Sequence, residues 1–173
     1  MKLQVLLRKI HHWGSIVIAV PLLVIIGAGL FLQLKKDVDW IQPPTQEGEA
    51  VGIPAVTLAE MFETVKAIPE MDVARWEELE RVDFKPDKGV VKFVSVTRWE
   101  VQIDTATGEV LQLAYRRSDL IESIHDGSFF AGWTKHYLFL PAAIVLFVLW
   151  VTGMYMFFLP YFKKAQKKKS KRP

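Results

Sequence analysis

Four histidines are the residues of this 173-residue chain whose types and positions could do chemistry. His11 and His12 precede a long apolar run, His125 lies between that run and a second one, and His136 stands at the start of the second. An imidazole can hold iron or carry a proton near neutral pH. A bis-histidine haem needs two rings at one depth, one on each side of the iron. The spacing predicts that one chain does not meet this condition. The depth opposite His11 in the second run falls near Phe158 to Phe162, and the depth opposite His136 in the first run falls near Leu32 to Leu34. Neither stretch holds a histidine, and Met154 and Met156 stand about two turns off. A haem on His11 or His125 would therefore be shared across a dimer or with another subunit. The simpler roles are interfacial anchoring for His11, His12 and His136, and a loop or helix-end hydrogen bond for His125.

Other chemistry finds little to work with. The chain has no cysteine, which excludes disulfides, thiolate nucleophiles and zinc–thiolate sites. No Gly-x-Ser-x-Gly, His-Glu-x-x-His, phosphate loop or dinucleotide fingerprint occurs. Glu77, Glu78 and Glu80 form an acidic cluster that reads as a solvated face. No catalytic residue and no metal site is expected.

Two elements must position the histidines. Trp13 to Leu34 carries no charged side chain, and about 22 residues at ~1.5 Å each can cross a hydrocarbon core of about 30 Å. Tyr137 to Phe162 is a second such run, long enough to tilt. Trp13, Trp133, Tyr137, Tyr155 and Tyr161 lie at or near the ends, where amphipathic rings favour the interface. A cleaved signal peptide fits the first run less well: the run is long, and Leu34-Lys35-Lys36-Asp37 follows it in place of a small-x-small site. Ser15 with Ala19, and Gly27, Ala28 and Gly29, are small enough for helix–helix approach or for lipid packing.

The net charge of +3 hides a segregation. Lys2, Arg8 and Lys9 precede the first run and seven basic residues follow Phe162, with no acid at either end. All 19 acids lie between. The positive-inside rule puts both ends in the cytoplasm, although Lys35 and Lys36 argue weakly against it. The tail from Lys163 to Pro173 is expected to be disordered against anionic headgroups. It holds no aromatic residue for stacking bases, so no nucleic-acid partner is expected.

Between the runs, Pro43, Pro44, Gly48 and Gly52 mark an extended linker. Thr57 with Glu60 forms a capping-box pattern before Leu58, Met61, Phe62, Val65 and Ile68 at helical spacing, and Pro69 stops that helix. From Glu80 the period changes to two. Arg81 to Phe84, Val90 to Val96, Trp99 to Ile103 and Leu111 to Tyr115 read as strands. In the third, Trp99, Val101 and Ile103 face the core while Arg98, Glu100 and Gln102 face water. Asp104 to Gly108 is a hairpin loop, and Ser118 caps a short helix that Gly127 ends. The fold class is a membrane protein with two transmembrane helices flanking a small α+β extracytoplasmic domain, one helix on an antiparallel sheet. Its organisation is a basic N-terminus over 1–12, spans over 13–34 and 137–162, a linker over 35–56, the α+β domain over 57–127, a re-entry segment over 128–136 and a basic tail over 163–173.

The hairpin Trp99-Glu100-Val101-Gln102-Ile103-Asp104-Thr105-Ala106-Thr107-Gly108-Glu109-Val110-Leu111 resembles the closing hairpin of PepSY domains. Leu7-Arg8-Lys9-Ile10-His11-His12-Trp13 is similar to the span entry of the PepSY-associated transmembrane family, and Ile124-His125-Asp126-Gly127 with Thr152-Gly153 resembles its second span. The resemblance covers nearly the whole chain. Relatives with four or more spans include ferric-siderophore reductases that hold haem b, whereas this chain has two spans. The expectation is a non-enzymatic accessory or regulatory subunit in a bacterial inner membrane, with both termini cytoplasmic and the central domain periplasmic. Its partners would be the lipid bilayer and another membrane protein or complex, or a second copy through the spans. No cofactor is expected. The alternative is haem b on His11 and His125 in an electron carrier for ferric iron. PepSY modules also occur in protease propeptides, which implies restraint of a peptidase as a third role.

Overall fold

The computed structural model describes residues 3–170. The chain divides into two compact units, one made of residues 1–29 and 123–173 and the other of residues 30–122.

The first unit is an antiparallel helix pair. Helix α1 spans Leu3–Gln33, and the last helix, α4, spans Leu140–Ser170. Both are far too apolar to be left in water, yet only 17% and 11% of the residues in their most apolar stretches are buried within the chain. A soluble core helix would be mostly covered, so the bare apolar surface belongs against lipid. The two helices meet along Ile18, Ala142 and Leu149, with Leu22 and Val145 beside them. Nearer the other end Gly14 faces Leu149 and Gly153 faces His11. Residue numbers rise along α1 as they fall along α4, so both chain ends point the same way.

A π-helical turn, Lys135–Phe139, leads into α4 with the Leu140 N–H donating to the Lys135 carbonyl. Pro141 follows at once. It has no N–H to offer and its ring crowds the preceding turn, and the widened turn accommodates both defects. The tail is helical through Ser170. The sequence predicts disorder there, but a helix already begun extends at one hydrogen bond per residue without a new nucleus.

The second unit holds α2 (Leu58–Lys66) and a four-stranded antiparallel sheet in the order β1 (Leu79–Lys85), β2 (Val90–Ser95), β3 (Trp99–Asp104), β4 (Val110–Tyr115). The sequence anticipates this α+β arrangement. Helix α2 begins on the capping box: the Thr57 hydroxyl accepts from Glu60 N–H while the Glu60 carboxylate accepts from Thr57 N–H at 2.9 Å. Its Met61, Phe62 and Val65 pack on Val91, Phe93, Val101 and Ile103. Phe62 also stacks on Trp76 with ring centroids 4.0 Å apart.

The other face of the sheet corrects the expectation. Glu100 and Gln102 are 1% and 0% exposed. The stretch read as an extended linker lies across them as a strap. Gln46 N–H donates to Gln102 Oε1 at 2.8 Å, Gln102 Nε2 donates to the Pro44 carbonyl at 2.8 Å, and Glu49 N–H donates to Asp104 Oδ2 at 2.6 Å. The start of α3 (Arg117–Asp126) also belongs to this cover: Ser118 N–H donates to the Ile41 carbonyl at 2.7 Å, and Arg117 lies over the Trp40 ring at 4.6 Å. Period-two alternation marks two different faces, but it does not say that the polar one is wet.

Candidate functional site

In the helix pair, each of two histidines sits on a glycine of another element. His11 Nε2 lies 2.7 Å from Thr152 Oγ1. The Thr152 hydroxyl has one proton, and its contact with the Val148 carbonyl at 2.7 Å uses it. His11 Nε2–H must then be the donor to Thr152. A Cβ on Gly153 would come within 3.3 Å of His11 Cε1, so the ring packs closely on the glycine. At the other end His125 Nδ1 lies 2.9 Å from the Ile25 carbonyl. A carbonyl only accepts, so Nδ1 carries a proton. A Cβ on Gly29 would lie 3.3 Å from His125 Cε1, so this ring too packs closely on a glycine.

The partners differ from those that span-end alignment predicts. His11 meets Thr152 and Gly153, not the level of Phe158 to Phe162. His125 is level with Ile25 and Gly29, short of the end of α1, and not beyond the apolar run. One cause explains both shifts. Ser123 to Thr134 folds back beside the C-terminal part of α1, with Phe129 N–H donating to the Ser123 carbonyl at 3.0 Å and the Thr134 hydroxyl to Gly127. Gly127 has φ of +83°, the left-handed turn that ends α3. The second helix therefore starts lower along α1 than its sequence boundary suggests.

His11 and His125 are not brought together. His11 and Ile25, the residue that tethers His125, are fourteen residues apart on α1, about 21 Å at 1.5 Å per residue. The two histidines do not fit the two axial positions of one iron within a chain. His12 is exposed and meets Trp13 edge-on with centroids 5.4 Å apart, and His136 is exposed on the π-helical turn. Among the described residues no three His, Asp or Glu side chains converge as a metal group. Thr152 and the glycines under the rings were not singled out as partners by sequence reasoning. A hydroxyl inside an apolar run is the signal that points to Thr152.

Beside His125 is a recess of about 250 Å³ lined by Ile25, His125, Asp126, Lys135, Phe139, Leu140 and Ala143. Lys135 Nζ pairs with Asp126 Oδ2 at 2.6 Å. Burial pushes the Asp126 carboxyl up, but hydrogen bonds from Lys135 and Ser128 outweigh it and hold the carboxyl below its usual range.

The second unit adds a buried charge cluster. Glu100 accepts from Lys92 Nζ at 3.3 Å, from Gln102 Nε2 at 2.7 Å and from Arg116. Arg116 also pairs with Asp119 at 3.0 Å, and Asp119 with Arg81 at 3.1 Å. Burial pushes the Lys92 ammonium below its usual range, and Glu100 offsets this only in part. Burial pushes the Asp119 carboxyl up, but Arg116, Arg81 and Ser118 hold it below the usual carboxylate range. A larger surface recess, about 460 Å³, opens between the end of α2 and the β2–β3 turn, with Ile68, Val73 and Val96 among its apolar walls and Lys66, Asp72 and Glu78 among its charged ones.

The helix pair and the α+β unit occur in one order along the chain, and that order is what a family comparison tests. The PepSY-associated TM region matches residues 8–173. The chain belongs to this family. Comparison with curated proteins and with solved structures returned no match. Membership in the PepSY-associated TM family makes the two bare apolar helices membrane spans, and it covers both histidine seats and the strap.

Proposed function

We propose that the chain is a non-enzymatic, membrane-anchored accessory subunit of a larger inner-membrane assembly, with both termini cytoplasmic and residues 30–122 periplasmic. The observation that carries the reading is the recess of about 460 Å³ on the second unit. Its mixed walls suit a partner's side chain or peptide segment, with Lys66 paired to Glu63 and Glu78 to Arg75 at its rim. The orientation rests on the basic ends, since Lys and Arg are retained on the cytoplasmic side. A photo-crosslinking residue at Thr97, on the recess rim, tests it. The reading expects one dominant adduct in native membranes, lost in Ile68→Arg while insertion is intact. An adduct pattern unchanged by Ile68→Arg refutes it.

The competing reading is haem b held between chains. It draws support from the His125 tether, because a ligating imidazole commonly donates its other N–H to a carbonyl. A visible spectrum of haem-replete protein decides: a porphyrin band lost in His125→Phe favours it, and a colourless sample removes it.

A further inference from the structure

We propose that the recess beside His125 is a seat for the headgroup of a zwitterionic aminophospholipid with N–H groups on its amine. Three features of the recess argue for this occupant.

The first is depth. Ile25 lies eight residues, about 12 Å, before the end of α1, and Phe139 and Leu140 open the second span. The apolar part of the lining is therefore at acyl-chain level, where a water-soluble ligand does not stay. The second is charge pattern. Asp126 and Lys135 set one negative and one positive group side by side, 30% and 50% exposed, at the polar end of the same recess. A phosphoethanolamine headgroup carries the complementary pair, its ammonium for the carboxylate and its phosphate for the lysine. An anionic headgroup without an amine would bring only like charge to Asp126. The third is hydrogen-bond direction. The Ile25 carbonyl fixes a proton on Nδ1, and the Nδ1–Cε1 edge rests on Gly29; with the ring neutral, Nε2 is then the acceptor. An acceptor calls for a donor. A primary ammonium has N–H groups to give, and a trimethylated one has none. Behind the headgroup, Phe139, Leu140, Ala143 and Ile25 offer a path for one acyl chain.

The test uses the full chain in nanodiscs containing equal parts phosphatidylethanolamine, phosphatidylcholine and phosphatidylglycerol, with retained lipids counted by native mass spectrometry. Phosphatidylethanolamine should be retained about tenfold over each of the others, the worth of one charge-assisted hydrogen bond. Asp126→Asn and His125→Phe should each bring retention to the bulk ratio, and Lys164→Gln at the far end of α4 should leave it unchanged. Circular dichroism melts of the variants confirm that the fold persists. Free phosphoethanolamine, which lacks an acyl chain, should not displace the lipid. Bulk-ratio retention by the unaltered chain overturns the proposal. So does equal retention of phosphatidylcholine, a preference for phosphatidylglycerol, or a preference that survives both variants. A porphyrin band that disappears in His125→Phe overturns it as well, because haem then fills the recess. Loss of the Thr97 adduct leaves this result untouched, so the two proposals fail separately.

Discussion

Glu100→Gln removes one charge from the interior of the sheet and nothing from its shape. In the folded chain Lys92 and Arg116 both point at this carboxylate, and their side chains are 5% and 10% exposed. Removing one member of a buried pair costs about 3–5 kcal/mol, because the remaining charge stays desolvated. Two features pull the value to the lower end. Arg116 retains Asp119 at 3.0 Å, and the amide oxygen of Gln still accepts a hydrogen bond. The expected loss is about 3 kcal/mol, a large part of the ~5–15 kcal/mol that holds a domain together. Amide hydrogen exchange of β2 and β3 in the full chain reads it directly, and protection should fall roughly a hundredfold. Lys92→Met in the same background should restore most of the loss, since an apolar side chain replaces an ammonium that burial already disfavours. Lys88, whose partner Glu47 is 82% exposed, is the control, and Lys88→Gln should cost under about 0.5 kcal/mol. Protection reduced by less than threefold in Glu100→Gln refutes the claim that this cluster is dry.

Acid should loosen the same sheet. Asp119 has a folded pKa below its unfolded value, so its contribution is complete above about pH 3.9 and is lost as pH falls through the folded value. Protection of β2 and β3 should drop in that window, and Asp119→Asn should flatten the drop. Thr57→Ala removes the hydroxyl side of the capping box and should cost about 1 kcal/mol, read as faster exchange in α2 alone. Thr152→Val leaves His11 without its acceptor inside the helix pair and should weaken it by roughly 0.6–2 kcal/mol, read by thiol cross-linking between Ile18→Cys and Leu149→Cys. Gly127→Ala should be worse than either, because φ is +83° there and a Cβ would run into the Phe139 ring.

What was legible in the sequence is what local chemistry determines. The capping box at Thr57, the strands with their turns, the stop at Gly127 and the two long apolar runs all follow from residue type at fixed spacing. What was not legible depends on chain segments far apart. Glu100 and Gln102 look like a wet strand face until Gln46 and Glu49, more than fifty residues earlier, are laid over them. Pro43, Pro44 and Gly48 carry the signature of a linker, and nothing local says that this linker is a strap. The histidine partners were missed for a related reason. The ends of two apolar runs do not give the register of two helices, and the fold-back of Ser123 to Thr134 moves that register by about two turns.

The proposed topology has two crossings of one membrane, with residues 30–122 on the side opposite both termini. The cysteine-free sequence makes a direct measurement simple. Single cysteines at Ile53, which is 96% exposed, and at Lys164 can be treated with an impermeant maleimide on intact spheroplasts. The account predicts labelling of Ile53→Cys at once and of Lys164→Cys only after the membrane is permeabilised. Immediate labelling at Lys164 with Ile53 protected would contradict it.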